Sequence, residues 1–404
     1  MRPRTLSRSG ASALLFCLFA MAACRGDAGV LTGIDVLVRD DFSALTGQRV
    51  ALISNHTGRD RNGRSTATLL REARNVDLVR IFSPEHGYEG NLDIEVVADG
   101  VDDRTGIPVL SLYGEVRRPT VAMLEDIDTI VFDIQDIGAR FYTYISTMGN
   151  AMQVAGEHDV RFVVLDRPNP INGVDVAGPV LDDGKQSFTA FHRLPVRHGM
   201  TVGELAELFK AELAIDVDLE VIELENWRRG DFFDATGLQW VNPSPNIRNL
   251  TAALLYPGIG LLETTNVSVG RGTDTPFEII GAPWIDRTAL AMQLNAASLP
   301  GVSFEPVEFV PDSSTFRGQT CHGVRLSITD REEFEPLRTG FEIARRLALE
   351  YRDTWEVDAY LRLLGNDATL EAVRSGLPVT EIAAAYDEGL ADFRERRERF
   401  LIYR

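Results

Sequence analysis

The stretch Ser83-Pro84-Glu85-His86-Gly87-Tyr88-Glu89-Gly90 sets two carboxyls, an imidazole and a phenol directly behind a short apolar run, Leu78 to Phe82. A turn that only had to reverse the chain would be built from Gly, Asn, Asp or Pro. These side chains therefore ask for a chemical reading. A carboxyl partly shielded at a strand end suits general-acid work, which makes Glu85 the first catalytic candidate; the plainer reading is a loop glutamate in water or paired with an arginine. His86 is a candidate for polarising or holding a substrate, against a structural, hydrogen-bonded histidine.

Two further segments are dense in polar groups. Residues 133–150, DIQDIGARFYTYISTMGN, bring Asp133, Asp136, Arg140 and Tyr142 together just after another apolar run. Carboxylates accept hydroxyl hydrogens and aromatic rings cover the C–H face of a sugar, so the segment fits saccharide recognition. The alternative is a helix start with Arg140 paired to an acid and the tyrosines in the core. Residues 242–284 carry Asn246, Arg248, Glu263 and Arg271 among glycines and prolines. Glu263 is a possible second carboxylate, and an arginine such as Arg248 or Arg271 could hold an anionic group in a bidentate grip. Two carboxyls flanking a glycosidic bond are the usual hydrolase arrangement. The six histidines show neither HxH nor HExxH spacing, so no metal site and no cofactor is expected.

The elements that must position these groups are legible as an alternation. Val50–Ile53, Leu78–Phe82, Val109–Leu112, Ile130–Phe132 and Phe162–Leu165 are short and almost wholly apolar, as strands buried on both faces of a parallel sheet are. Helix-compatible stretches, Thr66–Arg74 and Ile145–His158, lie between them. This predicts an α/β fold with a doubly wound, Rossmann-like parallel-sheet domain over 30–285 and a smaller α/β domain over 286–404. Several strands end in polar residues: Ser54-Asn55-His56, Ser83 to His86, Asp133 with Asp136, and Asp166 to Asn169. Ligands bind beyond the carboxyl ends of such strands. There is no GxGxxG and no Walker lysine motif, which argues against a nucleotide. Thr201-Val202-Gly203-Glu204 has the form of a capping box opening a helix to about Leu213. Beyond Asp286 the pattern gives a helix, strands over Val302–Val310 and Val324–Ile328, a helix over Phe341–Tyr351, and a last amphipathic helix with Ile382, Tyr386, Leu390, Phe393 and Phe400 on one face.

Residues 1–24 read as a leader. Arg2, Arg4 and Arg8 precede an apolar stretch, Ala13–Met21, too short to cross a bilayer. Ala22-Ala23-Cys24 fits a lipobox, which makes Cys24 the expected lipidated residue of an exported, periplasmic protein of a Gram-negative bacterium, in contact with membrane only through its anchor. The formal charge is −19, and loss of the leader arginines makes it three units more negative. Such a chain is a poor partner for nucleic acid.

Taken in order, SPEHGYEG (83–90), DIQDIGARFYTYISTM (133–148), LDRPNPINGVDVAGPVLD (165–182), RHGMTVGELAELF (197–209), NPSPNIRNLTAALLYPGIGLLETTN (242–266) and GRGTDTPFEIIGAPW (270–284) resemble the NamZ-type exo-β-N-acetylmuramidase family. The resemblance implies a Rossmann-like larger domain and a smaller α/β domain with a cleft between them, and a glycosidase that cleaves the β-1,4 bond and releases N-acetylmuramic acid from the non-reducing end of peptidoglycan fragments. It implies Glu85 as the acid, with Glu263, Asp133 or Asp136 activating water or supporting the oxocarbenium charge, and participation of the sugar's acetamido group as an alternative. Arg140 or Arg271 would bind the lactyl carboxylate that separates muramic acid from glucosamine. Val269 departs from the family's pattern, where a carboxylate is common. That departure keeps a non-catalytic, wall-fragment-binding lipoprotein as the rival reading, and a metal-dependent hydrolase as a third.

Overall fold

The computed structural model describes residues 29–404; the leader and Cys24 lie outside the described residues. Nine strands occupy the first part of the chain: β1 (Arg49–Ser54), β2 (Asp77–Ser83), β3 (Gly100–Val101), β4 (Pro108–Ser111), β5 (Thr129–Asp133), β6 (Arg161–Leu165), β7 (Ala177–Val180), β8 (Pro195–Arg197) and β9 (Leu219–Ile222). Seven of them form one sheet in the order β3-β4-β2-β1-β5-β6-β9. All neighbours run parallel except β3, which adds an antiparallel edge to β4. Counted along the chain, the parallel strands are ordered 3-2-1-4-5-6, the doubly wound Rossmann order, whose reversal point lies between β1 and β5.

The near-continuous apolar runs have a direct cause. Val50, Leu52, Val131, Val163 and Leu165 point to one face and pack with helices Gly33–Arg39 and Thr66–Glu72. Ala51, Ile53, Ile130, Phe132, Phe162 and Val164 point to the other, under helices Tyr144–Glu157 and Val202–Glu212. Both faces are covered, so neither parity along a strand is free to be polar. Each fully buried phenylalanine in these strands stabilises the fold by about 2–3 kcal/mol. The capping box at Thr201 is present: its Oγ1 accepts from Glu204 N–H at 3.2 Å and Glu204 Oε2 accepts from Thr201 N–H at 3.0 Å.

Downstream, β10 (Ile279–Ala282), β11 (Val302–Phe309) and β12 (Cys321–Ile328) form an antiparallel sheet in the order β10-β12-β11. Helix Leu250–Ile259 crosses helix Pro336–Glu350 at a glycine pair. A Cβ on Gly258 would fall 2.0 Å from the Pro336 carbonyl, so the two backbones meet only because Gly258 and Gly340 lack side chains. The final amphipathic segment is not one rod. It is two helices, Val379–Ala384 and Asp387–Arg397, followed by a 3-10 turn Glu398–Phe400. Tyr386 leaves helical geometry at φ −130°, and its ring packs on Phe341 with centroids 5.8 Å apart. Among the described residues no helix is long and apolar enough to cross a membrane.

Candidate active site

A cavity of about 570 Å³ opens beyond the carboxyl ends of β2, β4 and β5. The loops after those strands supply Glu85, His86 and Asp93, then Tyr113, then Phe141 to Tyr144; segment 244–277 and Arg362 complete the wall. Six side chains singled out from the sequence therefore face one space: Glu85, His86, Tyr142, Asn246, Glu263 and Arg271.

The turn carrying Glu85 is built by its own sequence. His86, Gly87 and Gly90 take φ of 70°, 76° and 65°. The Gly87 N–H donates to the Pro84 carbonyl at 3.0 Å and the Gly90 N–H to the Gly87 carbonyl at 3.1 Å. His86 Nδ1–H donates to the Leu92 carbonyl at 2.7 Å, which offsets part of its left-handed strain and leaves the opposite ring edge to the cavity. Gly90 packs flat on the His56 ring; a Cβ there would fall 1.8 Å from His56 Nδ1. Burial lowers the pKa of His56, so the neutral ring is favoured while Nε2–H donates to the Asn242 carbonyl at 2.6 Å. Glu85 itself is fixed from two sides. Thr143 stands at the start of helix Tyr144–Glu157, yet its hydroxyl donates to Glu85 Oε2 instead of capping the helix. Burial and a hydrogen bond to Glu85 raise the Tyr113 phenol, which keeps it a donor at neutral pH. Glu89 of the same turn is exposed, and Tyr88 packs with the opposite core face.

Glu263 lies in a 3-10 turn, Gly260–Thr264, that continues helix Leu250–Ile259 past Pro257. Arg271 bridges Glu263 through Nη1 and Asp93 through Nη2, the latter at 2.6 Å. Burial raises the Glu263 carboxyl and outweighs the attraction of Arg271. Burial would also raise Asp93, but there Arg271 prevails and the carboxyl is lowered. Asn246 Nδ2 stands 3.4 Å from Asp93 Oδ2 at the edge of this network. An aromatic floor lies beneath. The Tyr142 and Tyr144 rings meet edge to face at 4.9 Å, Tyr142 and Tyr256 at 5.9 Å, and Tyr256 and Phe277 at 4.7 Å. Burial pushes the Tyr142 and Tyr256 phenols well up, so both remain neutral.

Three residues expected at the site lie elsewhere. Asp133 is fully buried at the end of β5, gripped by Arg167 through Nε at 2.5 Å and Nη2 at 2.9 Å and by the Thr66 hydroxyl; none of its oxygens faces the cavity. Asp136 turns inward, accepting from Gly138 N–H at 2.7 Å with buried His198 Nε2 at 3.4 Å. Arg140 is fully buried and donates to four main-chain carbonyls, not to a ligand. Val269 is also buried, in the core cluster, with its carbonyl accepting from Phe277 N–H at 2.7 Å. Sequence reasoning missed Tyr113, Asp93, Thr143 and Arg362. Tyr113 follows the β4 run as a strand exit and Thr143 lies within the quoted polar segment, so both had a signal; Arg362 had none. Among the described residues, no three His, Cys, Asp or Glu side chains converge as metal ligands.

The chain and its fold also match known proteins. Residues 50–251 match the profile of exo-beta-N-acetylmuramidase NamZ, N-terminal, and residues 254–403 that of exo-beta-N-acetylmuramidase NamZ, C-terminal. The chain is 42% identical over 378 residues to the peptidoglycan beta-N-acetylmuramidase NamZ of Bacillus subtilis (strain 168), covering 93% of this chain and 91% of that one. Two crystal structures of DUF1343 family proteins from Bacteroides fragilis NCTC 9343 superpose with TM-scores of 0.87 and 0.75, at 36% and 31% identity, each covering 93% of this chain and 99% of its own. With both halves matched in order and a solved relative superposing over its whole length, this chain belongs to the NamZ exo-beta-N-acetylmuramidase family.

Proposed function

We infer that the protein is an exo-acting glycoside hydrolase that releases N-acetylmuramic acid from the non-reducing end of peptidoglycan fragments by cleaving the β-1,4 bond to N-acetylglucosamine. The observation that carries this reading is one cavity into which Glu85 and Glu263 both face over a tyrosine floor, in a chain 42% identical to a peptidoglycan beta-N-acetylmuramidase. In this reading the sugar lies with its C–H face on Tyr142 and Tyr256. Glu85, its rotamer fixed by Thr143 and Tyr113, gives a proton to the leaving glycosidic oxygen. Glu263, held by Arg271, takes the proton of a water that attacks the anomeric carbon, or orients the sugar's own acetamide as its carbonyl oxygen makes that attack. His86 and Asn246 orient hydroxyl and acetamide groups. Asp133 and Asp136, turned away from the cavity, hold the loop that carries Tyr142 and Thr143.

The leader supports a place for this chemistry: a periplasmic protein tethered through a lipidated Cys24, working on wall fragments. The test of the function is release of free N-acetylmuramic acid from a muramic-acid-terminated disaccharide by the purified protein, beside Glu85→Gln. The expected result is turnover by the wild type and a loss of about 10³-fold or more in the variant, with substrate binding retained. Equal turnover by both would remove Glu85 from its role. Metabolic labelling with a fatty acid, compared with Cys24→Ala, tests the anchor.

A further inference from the structure

The cavity does not end at Glu85. A second chamber of about 460 Å³ shares Glu85, Tyr113, Thr143, Thr189 and Arg362 with it and adds Arg117 and Lys185. Its charge is opposite in sign to the rest of the site. The main cavity is lined by Glu85, Asp93, Glu95 and Glu263 against two arginines, and one of those, Arg271, is neutralised by Asp93 and Glu263. In the second chamber Lys185 is paired with Asp367 at 3.0 Å. Among the described residues Arg117 and Arg362 form no ion pair with any carboxylate. Both are exposed, Arg117 on an aromatic support and Arg362 on an anchored turn. The Arg117 guanidinium stacks over the rings of Phe188 and Tyr113, 4.7 and 5.6 Å from their centroids. Arg362 rides on the turn Leu361–Leu364, whose last two carbonyls are clamped by the buried Arg140 at 2.8 and 2.7 Å. Two solvent-exposed guanidinium groups without a carboxylate partner, beside a glycosidic acid in a strongly acidic chain, amount to a site for an anion.

Resting on the reading above, we propose that Arg117 and Arg362 form the subsite for a carboxylate carried by the saccharide, the lactyl group of a muramic acid unit, and so set the enzyme's preference for muramic acid over glucosamine. Guanidinium pairs match a planar carboxylate in geometry as well as charge. Arg140, to which the sequence pointed for this task, acts one step removed, by holding the turn that carries Arg362. Arg271 is excluded from it because both its terminal nitrogens are already bonded to protein carboxylates.

The experiment compares hydrolysis of a muramic-acid-terminated disaccharide with that of its lactyl amide, by the wild type, Arg362→Gln, Arg117→Gln, the double variant and Arg362→Lys. The wild type should prefer the acid by about 10- to 100-fold in kcat/KM. The double variant should bring that ratio close to one, and Arg362→Lys should restore part of it. A ratio that is unchanged in the double variant overturns the proposal. A tetrasaccharide amidated only at its terminal lactyl group locates the source of the carboxylate. If its cleavage falls in the variants while the disaccharide ratio stays unchanged, the arginines serve the unit beyond the scissile bond and the proposal fails; if the disaccharide ratio responds, they hold the released unit. Calorimetric binding of N-acetylmuramic acid and N-acetylglucosamine separates this proposal from the hydrolytic one. Were no substrate cleaved, a tenfold preference for muramic acid that disappears in the double variant would still uphold the subsite, and equal binding of the two sugars would end it.

Discussion

Replacing Arg140 by methionine distinguishes a ligand-binding arginine from a structural clamp. Its Nη1 donates to the carbonyls of Pro179 at 3.0 Å and Leu194 at 2.9 Å, and its Nη2 to those of Leu363 at 2.8 Å and Leu364 at 2.7 Å. Burial draws its pKa down to about 9, which still leaves the group charged at neutral pH. Methionine fills much of the same volume and donates nothing. The Leu194 carbonyl keeps the Leu181 N–H at 3.1 Å, and Leu363 and Leu364 close a helical turn where intrahelical donors run out. Roughly three carbonyls losing a charged donor at about 1–1.5 kcal/mol each gives a loss of about 3–5 kcal/mol. Equilibrium urea unfolding followed by tryptophan fluorescence should show a lower midpoint with an unchanged slope. A variant as stable as the wild type that only raises KM would refute the clamp and return Arg140 to the substrate.

Two further outcomes follow from the packing. Gly90→Ala adds a Cβ 1.8 Å from His56 Nδ1 at φ +65°, so the turn must shift and carry Glu85 with it; turnover should fall on the order of tenfold while the protein stays folded, and wild-type kinetics would show that the turn does not set Glu85. Burial would raise Glu212, yet His192 and Arg396 hold its carboxyl at about 2, below an ordinary value of 4.5. A depressed folded value contributes stability that is complete above the ordinary value and lost as pH falls toward 2. Glu212→Gln should therefore lower stability near neutral pH by about 1–2 kcal/mol after solvent screening, with the difference closing below pH 4.5; a difference that stays constant with pH would remove the ion pairs as its cause.

What the sequence disclosed and what it hid divide along a physical line. Strands between two helical layers must be apolar on both parities, so β1, β2, β4, β5 and β6 were plain; of the polar exits, those after β2 and β5 reach the cavity and those after β1 and β6 do not. The short β7, β8 and β9 carried no such signature; all four β9 residues are only half-buried. Residue type alone could not tell which polar groups after β5 turn outward. Asp133 and Tyr142 belong to one segment, but Arg167, 34 positions on, captures the first. Arg140 looked like a ligand-binding arginine because its acceptors are main-chain carbonyls, which every residue has and no motif records, and two of them lie more than 220 positions away. Arg362 was hidden for a related reason: its importance comes from the partner it lacks.

The separation of charge within the cleft has a consequence for how substrate must lie. Arg271 with Asp93 and Glu263 forms one wall, closed electrostatically on itself and offering a carboxyl but no free cation. Arg117 and Arg362 form the other, offering cations with no carboxylate except Glu85 between. An anionic sugar entering with its carboxylate toward Glu263 would meet a second negative group and forgo both arginines. Entering the other way, it pairs with the arginines, rests on the tyrosines and brings its glycosidic oxygen past Glu85. A protein of −19 charge thus needs no general attraction for its substrate; two guanidinium groups on one side of the acid set which way round the sugar lies.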